Sequence, residues 1–215
     1  MTGHVDIAAL RKEYSLQSLD EAQVDPHPYR QFKKWFAEAA ASQIIEPNAM
    51  VLATVDSSGT PSARAVLLKE HTEQGYVFFT NYQSQKAKDL EYSPKAALLF
   101  YWAELERQVR IVGEVERVSR EQTEAYFKKR PRSAQLGALA SVQSALLPHR
   151  QALEARVKEL DAQYQGQEVP CPETWGGYRL VPSRYEFWQG RESRLHDRIL
   201  YSCSGQQWVR ARLSP

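Results

Sequence analysis

Four short segments of this sequence stand out for their clustered basic side chains, and groups of this kind can bind an anion. The first runs from Arg64 to Lys69 around the apolar centre Ala65 to Leu68. In a strand, successive side chains point to opposite faces, so Arg64 and Lys69 share a ligand only near a bulge or a strand end. They could equally be the solvated ends of a buried strand, because charged side chains mostly stay exposed.

The second segment runs from Thr80 to Lys86, and its Ser84 predicts the N-cap of a helix. That N-cap places Lys86 in the first helical turn, where a cation opposes the helix dipole unless an anion binds the free N–H groups. A loop that offers hydroxyls and a lysine before a helix suits a phosphate. An exposed lysine, however, can also turn into water.

The third segment contains Tyr126 and Arg130, which lie four residues apart and so on one face of a predicted helix. A phenol and a guanidinium side by side can hold a phosphate through one directed hydrogen bond and one bidentate pair. The alternative is a solvated surface, since the run Lys128-Lys129-Arg130 is typical of one.

The fourth segment runs from Trp188 to Arg198. If it is extended, the basic residues Arg194, His196 and Arg198 point to one face. An amphipathic edge strand explains that face, but it leaves Asp197 unexplained among the inward positions. A histidine between two arginines and close to a tryptophan suits a ligand that is anionic, planar and aromatic.

The elements that must position these segments change from helical to strand composition along the chain. The first 45 residues are predicted to be helical and amphipathic, with apolar residues at Phe32, Trp35, Phe36 and Ala39. Closely spaced strands follow in 46–118, helices in 119–165 and further strands in 176–215. Strands without long helices between them predict an antiparallel sheet that curls or closes, in a single mainly β (α+β) domain over 1–215.

Composition excludes several classes of protein. The 28 basic and 26 acidic side chains give a net charge of +2, too even for a protein that coats nucleic acid, so an anion site must be a local cluster. The longest apolar run, Ala96 to Ala103, is far short of the ~20 residues that cross a bilayer. Cys171 and Cys203 have no CxxC partner, which indicates neither a disulfide framework nor a metal site. We therefore expect a cytoplasmic protein without a metal.

The fourth segment also carries a family resemblance. Tyr185-Glu186-Phe187-Trp188-Gln189 and Arg194-Leu195-His196-Asp197-Arg198 resemble the C-terminal signature of the pyridoxamine/pyridoxine 5′-phosphate oxidases. The resemblance covers nearly the whole chain, and together its motifs are specific. Its other motifs are Arg11 to Tyr14, Arg64 to Lys69, Phe79-Thr80-Asn81, Leu105 to Val109, Tyr126 with Arg130-Pro131-Arg132, Gln143-Ser144 and Trp175-Gly176-Gly177.

The resemblance implies an FMN-binding split β-barrel flanked by helices, in a homodimer with two flavin sites at the subunit interface. It implies oxidation of pyridoxine or pyridoxamine 5′-phosphate at C4′ to pyridoxal 5′-phosphate, with O2 as acceptor and H2O2 as second product. The implied FMN contacts are Arg64, Ala65, Val66, Leu67, Leu68, Lys69, Phe79, Thr80, Lys86, Gln108, Gln143, Ser144, Trp188 and Arg198. The implied substrate contacts are Lys69, Tyr126, Arg130, Arg194 and His196, with Arg11 to Tyr14 closing over the substrate. Catalysis is expected from Arg194, which would cover the substrate ring, and from His196, which would orient it.

Two positions depart from the family pattern. Gln85 stands where an arginine often neighbours the FMN phosphate, and Ala134 where a serine often touches the substrate phosphate. Two other functions stay open from the sequence: another flavin-linked oxidoreductase on the same barrel, and a carrier of flavin or pyridoxal phosphate without catalysis.

Overall fold

The computed structural model describes residues 6, 7, 10, 13–205 and 207–215. Within these residues the chain forms five α-helices and nine β-strands. The helices are α1 (Pro28–Ala41), α2 (Gln85–Tyr92), α3 (Arg120–Lys128), α4 (Arg132–Ala140) and α5 (Arg150–Gln163). The strands are β1 (Ala49–Val55), β2 (Pro61–Leu67), β3 (Glu70–Thr72), β4 (Gly75–Asn81), β5 (Lys95–Trp102), β6 (Arg107–Arg117), β7 (Trp175–Gln189), β8 (Asp197–Ser204) and β9 (Gln207–Leu213).

All nine strands belong to one sheet, in which the main path runs β2-β1-β5-β6-β7-β4-β3. The 15-residue strand β7 has two partners: its first half pairs with β4, and its second half pairs with β8, which in turn pairs with β9. These pairings, like β1 with β2 and β3 with β4, are antiparallel. The predicted fold class, an antiparallel sheet of split-barrel type with flanking helices, is confirmed.

The chain divides into two compact units. The central unit comprises Asn48–Leu98 and Val112–Ser183, and the terminal unit comprises Met1–Pro47, Leu99–Ile111 and Arg184–Pro215. Strands β5, β6 and β7 contribute residues to both. The expectation of a single domain stays a prediction.

In the central unit, the sheet curls so that strands from distant places in its order line one cavity. Residues of β2 and of β4 both face this cavity, although four strands separate β2 from β4 in the order. An apolar cluster beneath α3, α4 and α5 contains the buried side chains of Phe127, Leu136, Leu160 and Trp175. Burial of these large side chains fixes α3, α4 and α5 against the start of β7.

In the terminal unit, α1 packs an apolar stripe of Phe32, Trp35 and Ala39 into an aromatic core. Pro28 opens the helix, where its missing N–H costs nothing. The ring of Phe32 lies 5.1 Å from that of Phe100, and the ring of Trp35 lies 5.3 Å from that of Phe187. None of the helices in the described part of the chain has the length and apolar character needed to span a bilayer.

Most elements follow the sequence pattern, but the first 45 residues do not. Only α1 is an α-helix there, and the described residues from 13 to 27 are irregular. Their backbone groups bond to side chains distant in sequence: Ser15 and Leu16 to Glu106, and Leu19 to Asp197. The apolar periodicity around Phe32 predicts α1 correctly. The composition of the first 45 residues predicts more helix than the described residues form.

Candidate functional site

A cavity of about 1080 Å³ opens in the central unit. Its walls come from β2, β4, the start of α2, the end of α3, α4 and the loop after α4. Twelve of the predicted site residues line it: Arg64, Ala65, Val66, Leu67, Lys69, Phe79, Thr80, Lys86, Tyr126, Arg130, Gln143 and Ser144. Leu68 lies outside the lining and is buried, with its N–H donating to the carbonyl of Asn48.

Lys86 is a buried cation at one wall of the cavity, with 8% of its surface exposed. Helix α2 begins one residue earlier with Ser84 as its N-cap, as the sequence predicts. The Lys86 Nζ donates to three neutral oxygens: Thr80 Oγ1 at 3.2 Å, Ser84 Oγ at 3.2 Å and Gln143 Oε1 at 3.0 Å. Desolvation, and then the positive charge of Arg64, lower the pKa of Lys86, against a weaker opposite effect of Asp89. An anion in the cavity would stabilise this ammonium group.

Arg64 lines the cavity, and its guanidinium donates hydrogen bonds to residues of the neighbouring strand β1. Its Nη1 donates to the carbonyl of Leu52 at 3.1 Å and to Thr54 Oγ1 at 2.7 Å. Its Nη2 lies 3.7 Å from Oδ2 of the buried Asp89. Burial lowers the pKa of Arg64, an effect that Asp89 partly offsets. Because β2 ends at Leu67, strict alternation does not extend to Lys69, and both cations line the same cavity.

A stack of aromatic rings forms another part of the wall. The ring of Phe79 lies 4.1 Å from that of Tyr126 and 5.3 Å from that of Trp175, nearly parallel to both. The guanidinium of Arg130 lies over Trp175, 4.7 Å from the ring centre. Its Nη1 is buried without a hydrogen-bond partner, and burial lowers its pKa. An unsatisfied buried donor at a cavity wall is a favourable place for an anionic acceptor.

The geometry of the Tyr126/Arg130 pair differs from the prediction. Helix α3 ends at Lys128, so Arg130 lies beyond the helix and not one turn along it. Pro131 disfavours helical backbone at the residue before it, which ends α3 here. The two side chains nevertheless line one cavity.

The loop after α4 closes the cavity beside Lys86. Gln143 Oε1 accepts a hydrogen bond from Thr80 Oγ1 at 3.0 Å as well as from Lys86. Ser144 has a left-handed backbone, with φ of 71°, and its Oγ accepts from the N–H of Gln85 at 3.2 Å. Gln85 donates from its side chain to Asp89 Oδ1 at 2.8 Å. Gln85 and Ala134, the two positions that depart from the family pattern, both line the cavity.

A second cluster of predicted site residues lies in the terminal unit. The ring of Tyr14 is 5.7 Å from Trp188 and 5.6 Å from His196, in edge-on contacts. The guanidinium of Arg194 lies 5.7 Å from the centre of the Tyr14 ring. His196 Nδ1 accepts a hydrogen bond from the N–H of Arg191 at 3.1 Å, which leaves Nε2 as the protonated nitrogen of the neutral ring. Burial, and then the charge of Arg194, lower the pKa of His196.

The condition that this segment is extended does not hold before Asp197. Residues Glu192–Arg194 form a 3₁₀ turn, in which Ser193 and Arg194 have φ of 55° and 62°. Strand β8 begins only at Asp197. Arg194, His196 and Arg198 therefore do not alternate along one strand.

The structure also explains Asp197, which the strand pattern does not. Its carboxylate accepts from the N–H of Leu19 at 3.0 Å and from Arg212 Nη1 at 2.7 Å. Arg198 also forms hydrogen bonds within the terminal unit. Its Nε donates to Glu186 Oε1 at 2.8 Å, and its Nη1 donates to the carbonyl of Ser214 at 2.7 Å. Gln108 lies half-buried on β6. Arg11 lies outside the described residues.

Sequence reasoning missed three residues that shape these sites. Trp175 packs against Phe79 and Arg130, and it belongs to the motif Trp175-Gly176-Gly177, for which no binding role was predicted. Asp89 joins Thr54, Gln85 and Arg64, and only its spacing of four residues from Gln85 on α2 hints at this. Glu106 binds a segment 90 residues away, which no local pattern reveals.

The residues of the cavity fit FMN. The ammonium of Lys86, with hydroxyl and amide groups around it, could bind a phosphate. The cavity volume of about 1080 Å³ exceeds the ~300–1,000 Å³ of typical ligand sites. No group of three or more His, Cys, Asp or Glu side chains in the described part of the chain is arranged to hold a metal ion. The chemistry that the cavity supports is binding of phosphorylated aromatic molecules.

Comparison with known proteins gives consistent matches. Residues 36–164 match the family model for pyridoxamine 5′-phosphate oxidase, and residues 175–215 match that for the pyridoxine 5′-phosphate oxidase C-terminal dimerisation region. A pyridoxine/pyridoxamine 5′-phosphate oxidase from Nostoc sp. is 55% identical over 210 residues, which cover 97% of this chain and 98% of that protein. One of the same name from Burkholderia pseudomallei is 56% identical over 212 residues, covering 97% and 99%.

Among solved structures, PhzG from Burkholderia lata, in complex with tetrahydrophenazine-1-carboxylic acid, superposes with a TM-score of 0.88. It is 32% identical, and the match covers 94% of this chain and 100% of that one. A pyridoxamine 5′-phosphate oxidase-related, FMN-binding protein from Nostoc punctiforme has a TM-score of 0.70 at 19% identity, covering 87% and 97%, which shows the fold alone.

Proposed function

The chain belongs to the pyridoxamine 5′-phosphate oxidase family and is an oxidoreductase, and we propose that it oxidises pyridoxine or pyridoxamine 5′-phosphate to pyridoxal 5′-phosphate with FMN and O2. The relatives that are at least 54% identical over nearly the whole chain carry the name of this activity. Their names support the substrate class. The cofactor is supported by the cavity itself.

The observation that carries the proposal is one cavity with two sets of cations on different elements. Lys86, near Arg64, lies in a pocket of neutral oxygens, and Arg130 lies on an aromatic platform with a donor unsatisfied. Two phosphorylated rings, a flavin and a pyridine, need two such sets. A single phosphorylated ligand would leave either the buried Lys86 or the buried, unsatisfied Nη1 of Arg130 without an anion.

We assign the FMN phosphate to Lys86, with Arg64, Thr80, Gln143 and Ser144 around it. The remaining proposed FMN contacts are Ala65, Val66, Leu67, Leu68, Lys69, Phe79, Gln108, Trp188 and Arg198. When bound, FMN would take a hydride from C4′ of the substrate and pass the electrons to O2, which yields H2O2.

The substrate phosphate is assigned to Arg130 and Tyr126. Arg130 can present its free Nη1 to a phosphate oxygen, and the Tyr126 hydroxyl can donate a second bond. The remaining proposed substrate contacts are Lys69, Arg194, His196, Arg11 and Tyr14. Phosphate binding at a distance from C4′ orients the reacting carbon, which converts binding energy into correct geometry.

Arg194 and His196 are the proposed catalytic residues. His196 is held by the N–H of Arg191, so that its Nε2–H is free to orient a ring substituent. Burial, and then the charge of Arg194, lower the pKa of His196, which favours the neutral imidazole that retains the Nδ1 acceptor for this hydrogen bond. Arg194 would bring a positive charge beside the substrate ring.

The proposal includes a homodimer with FMN at the subunit interface, and a cytoplasmic location. The match of residues 175–215 to a C-terminal dimerisation region supports the homodimer. The location is supported by the sequence composition alone.

The test is a visible absorption spectrum of the purified protein, followed by anaerobic addition of pyridoxine 5′-phosphate. We expect a flavin spectrum that bleaches, and after admission of O2 we expect H2O2 and pyridoxal 5′-phosphate in equal amounts. Tetrahydrophenazine-1-carboxylic acid, the compound in complex with PhzG, serves as a second test compound, with a carboxylate in place of a phosphate. Bleaching by that compound alone would favour another flavin-linked oxidoreductase. Binding of pyridoxine 5′-phosphate without bleaching or peroxide would favour a carrier.

A further inference from the structure

Glu106 is a buried carboxylate that belongs to neither proposed binding set. Its exposed fraction is 2%, and it follows the 3₁₀ turn Ala103–Leu105 in a left-handed conformation with φ of 54°. A non-glycine residue in that conformation is strained, and a buried carboxylate loses its hydration. Both costs indicate that the side chain makes compensating interactions.

Those interactions are with the N-terminal segment. Glu106 Oε2 accepts from the N–H of Ser15 at 2.9 Å and from the N–H of Leu16 at 3.1 Å. The next residue, Arg107, donates to the side chains of Gln17 and Glu38. Residues 15–17 are therefore bound, residue by residue, to Glu106 and Arg107.

The same two residues also hold the end of β7. The carbonyl of Glu106 accepts from the N–H of Gly190 at 2.8 Å and from Gln189 Nε2 at 3.2 Å, and Arg107 Nε donates to Gln189 Oε1 at 3.0 Å. Residues 189–190, at the end of β7, and residues 15–17 are thus both held by Glu106 and Arg107. Their relative position depends on these two residues.

Tyr14 is the residue that Glu106 and Arg107 bring into the second cluster. It directly precedes the bound segment, and its ring contacts Trp188 and His196. The fit at Gly190 is close: a Cβ there would lie 2.8 Å from Tyr14 Cγ and 2.9 Å from Tyr14 Cβ. Because Tyr14 directly precedes Ser15, the position of residues 15–16 affects the contacts of the Tyr14 ring with Trp188 and His196.

We propose that Glu106 is a positioning residue that places Tyr14 against Trp188 and His196 for substrate binding, an inference that rests on the proposed function. Glu106 acts through the backbone of Ser15 and Leu16 and does not touch the substrate. Its contribution is to spare the enzyme the cost of ordering this segment each time substrate binds.

The test compares three single variants of the FMN-loaded enzyme: Glu106→Ala, Glu106→Gln and Glu104→Ala. Glu104 is the matched control, because it is an exposed carboxylate two residues away on the same turn. Glu106→Ala removes the acceptor of two charge-assisted bonds, so we expect KM for pyridoxine 5′-phosphate to rise about tenfold or more while kcat changes little. Glu106→Gln can place an amide oxygen where Oε2 lies, so its KM should rise less. Glu104→Ala should match the wild type.

Two further measurements separate positioning from general damage to the fold. Hydrogen exchange at the amides of Ser15 and Leu16 should speed up in Glu106→Ala, with the protection of β4 and the FMN content unchanged. In a double-mutant cycle, adding Glu106→Ala to Tyr14→Ala should raise KM no further than Tyr14→Ala alone.

Additive effects in the cycle, unchanged exchange at Ser15 and Leu16, or a wild-type KM in Glu106→Ala would each overturn the inference. If Glu106→Ala does not fold, Glu106→Gln carries the same comparison. A wild-type protein that binds FMN but does not oxidise the substrate would overturn the proposed function, and this inference with it. Failure confined to the variants leaves the proposed function intact.

Discussion

Replacing Lys86 by Met should weaken FMN binding strongly without destabilising the protein that lacks FMN. Met keeps most of the length of the side chain and removes the ammonium, which in the folded chain is nearly enclosed and surrounded by neutral oxygens. The lowered pKa of Lys86 means that the folded protein disfavours this charge relative to water. Gln143 Oε1 keeps its bond from Thr80, so the substitution does not leave that acceptor unsatisfied.

The magnitude follows from the phosphate contact. A hydrogen bond to a charged group contributes about 1.5–3 kcal/mol, so Kd for FMN should rise roughly 10- to 150-fold. At free FMN about 100 times the wild-type Kd, ligand binding stabilises the folded state by about 2.7 kcal/mol, and a hundredfold weaker variant keeps only about 0.4 kcal/mol. For a chain of this size, the rise in Tm on adding FMN should fall from about 5–11 °C to about 1–2 °C.

The assay is quenching of flavin fluorescence on titration of the FMN-free protein, combined with thermal unfolding at several FMN concentrations. Lys88→Met is the matched control, because Lys88 lies on the same helix and is exposed. It should leave both Kd and the Tm rise unchanged. A Kd in Lys86→Met equal to that of the wild type would refute the placement of the phosphate at Lys86. A marked fall in Tm of the FMN-free variant would refute the argument that its charge is unfavourable there.

Three other substitutions and titrations test the remaining assignments. Arg194→Ala should lower kcat/KM strongly while the purified protein stays yellow with FMN, and unchanged turnover would remove Arg194 from the active site. Arg130→Ala should mainly raise KM, because it loosens a phosphate that is bound equally in the ground and transition states, and a loss of kcat at unaltered KM would contradict that role. His196 should titrate in NMR spectra below its ordinary pKa of 6.5, and kcat/KM should fall as pH drops through that lowered value, because protonation removes the Nδ1 acceptor for Arg191. Arg194→Ala should move the His196 midpoint upward, and a fixed midpoint would show that the two side chains are not close.

The elements that the sequence predicts well are those with one clear local cause. Ser84, predicted as an N-cap, directly precedes α2. The strand composition of 46–118 and 176–215 predicts the two regions in which β1–β6 and β7–β9 lie, to within one residue. Twelve predicted site residues come together in one cavity because the motifs lie on strands and helix ends that the sheet brings together.

What the sequence does not predict depends on contacts between distant residues. Residues 13–27 have helical composition, but bonds to Glu106 and Asp197 hold Ser15, Leu16 and Leu19 in an irregular path. The turn at Glu192–Arg194 has no Gly or Pro to indicate it. Along residues 13–27, tertiary hydrogen bonds outweigh a weak local preference, and no local pattern records them.

The strained backbone in this chain is concentrated where the proposed function needs fixed side chains. Within the described residues, four non-glycine residues have a left-handed φ: Glu106, Ser144, Ser193 and Arg194. Ser144 lines the cavity beside Lys86, Arg194 stands over Tyr14, and Glu106 holds the segment that carries Tyr14. Each such residue costs of order 1–3 kcal/mol, and glycine would remove most of that cost at any of them. At Glu106, Ser144 and Arg194 the larger side chain is explained by its contacts, which is the same reasoning that assigns Glu106 its positioning role.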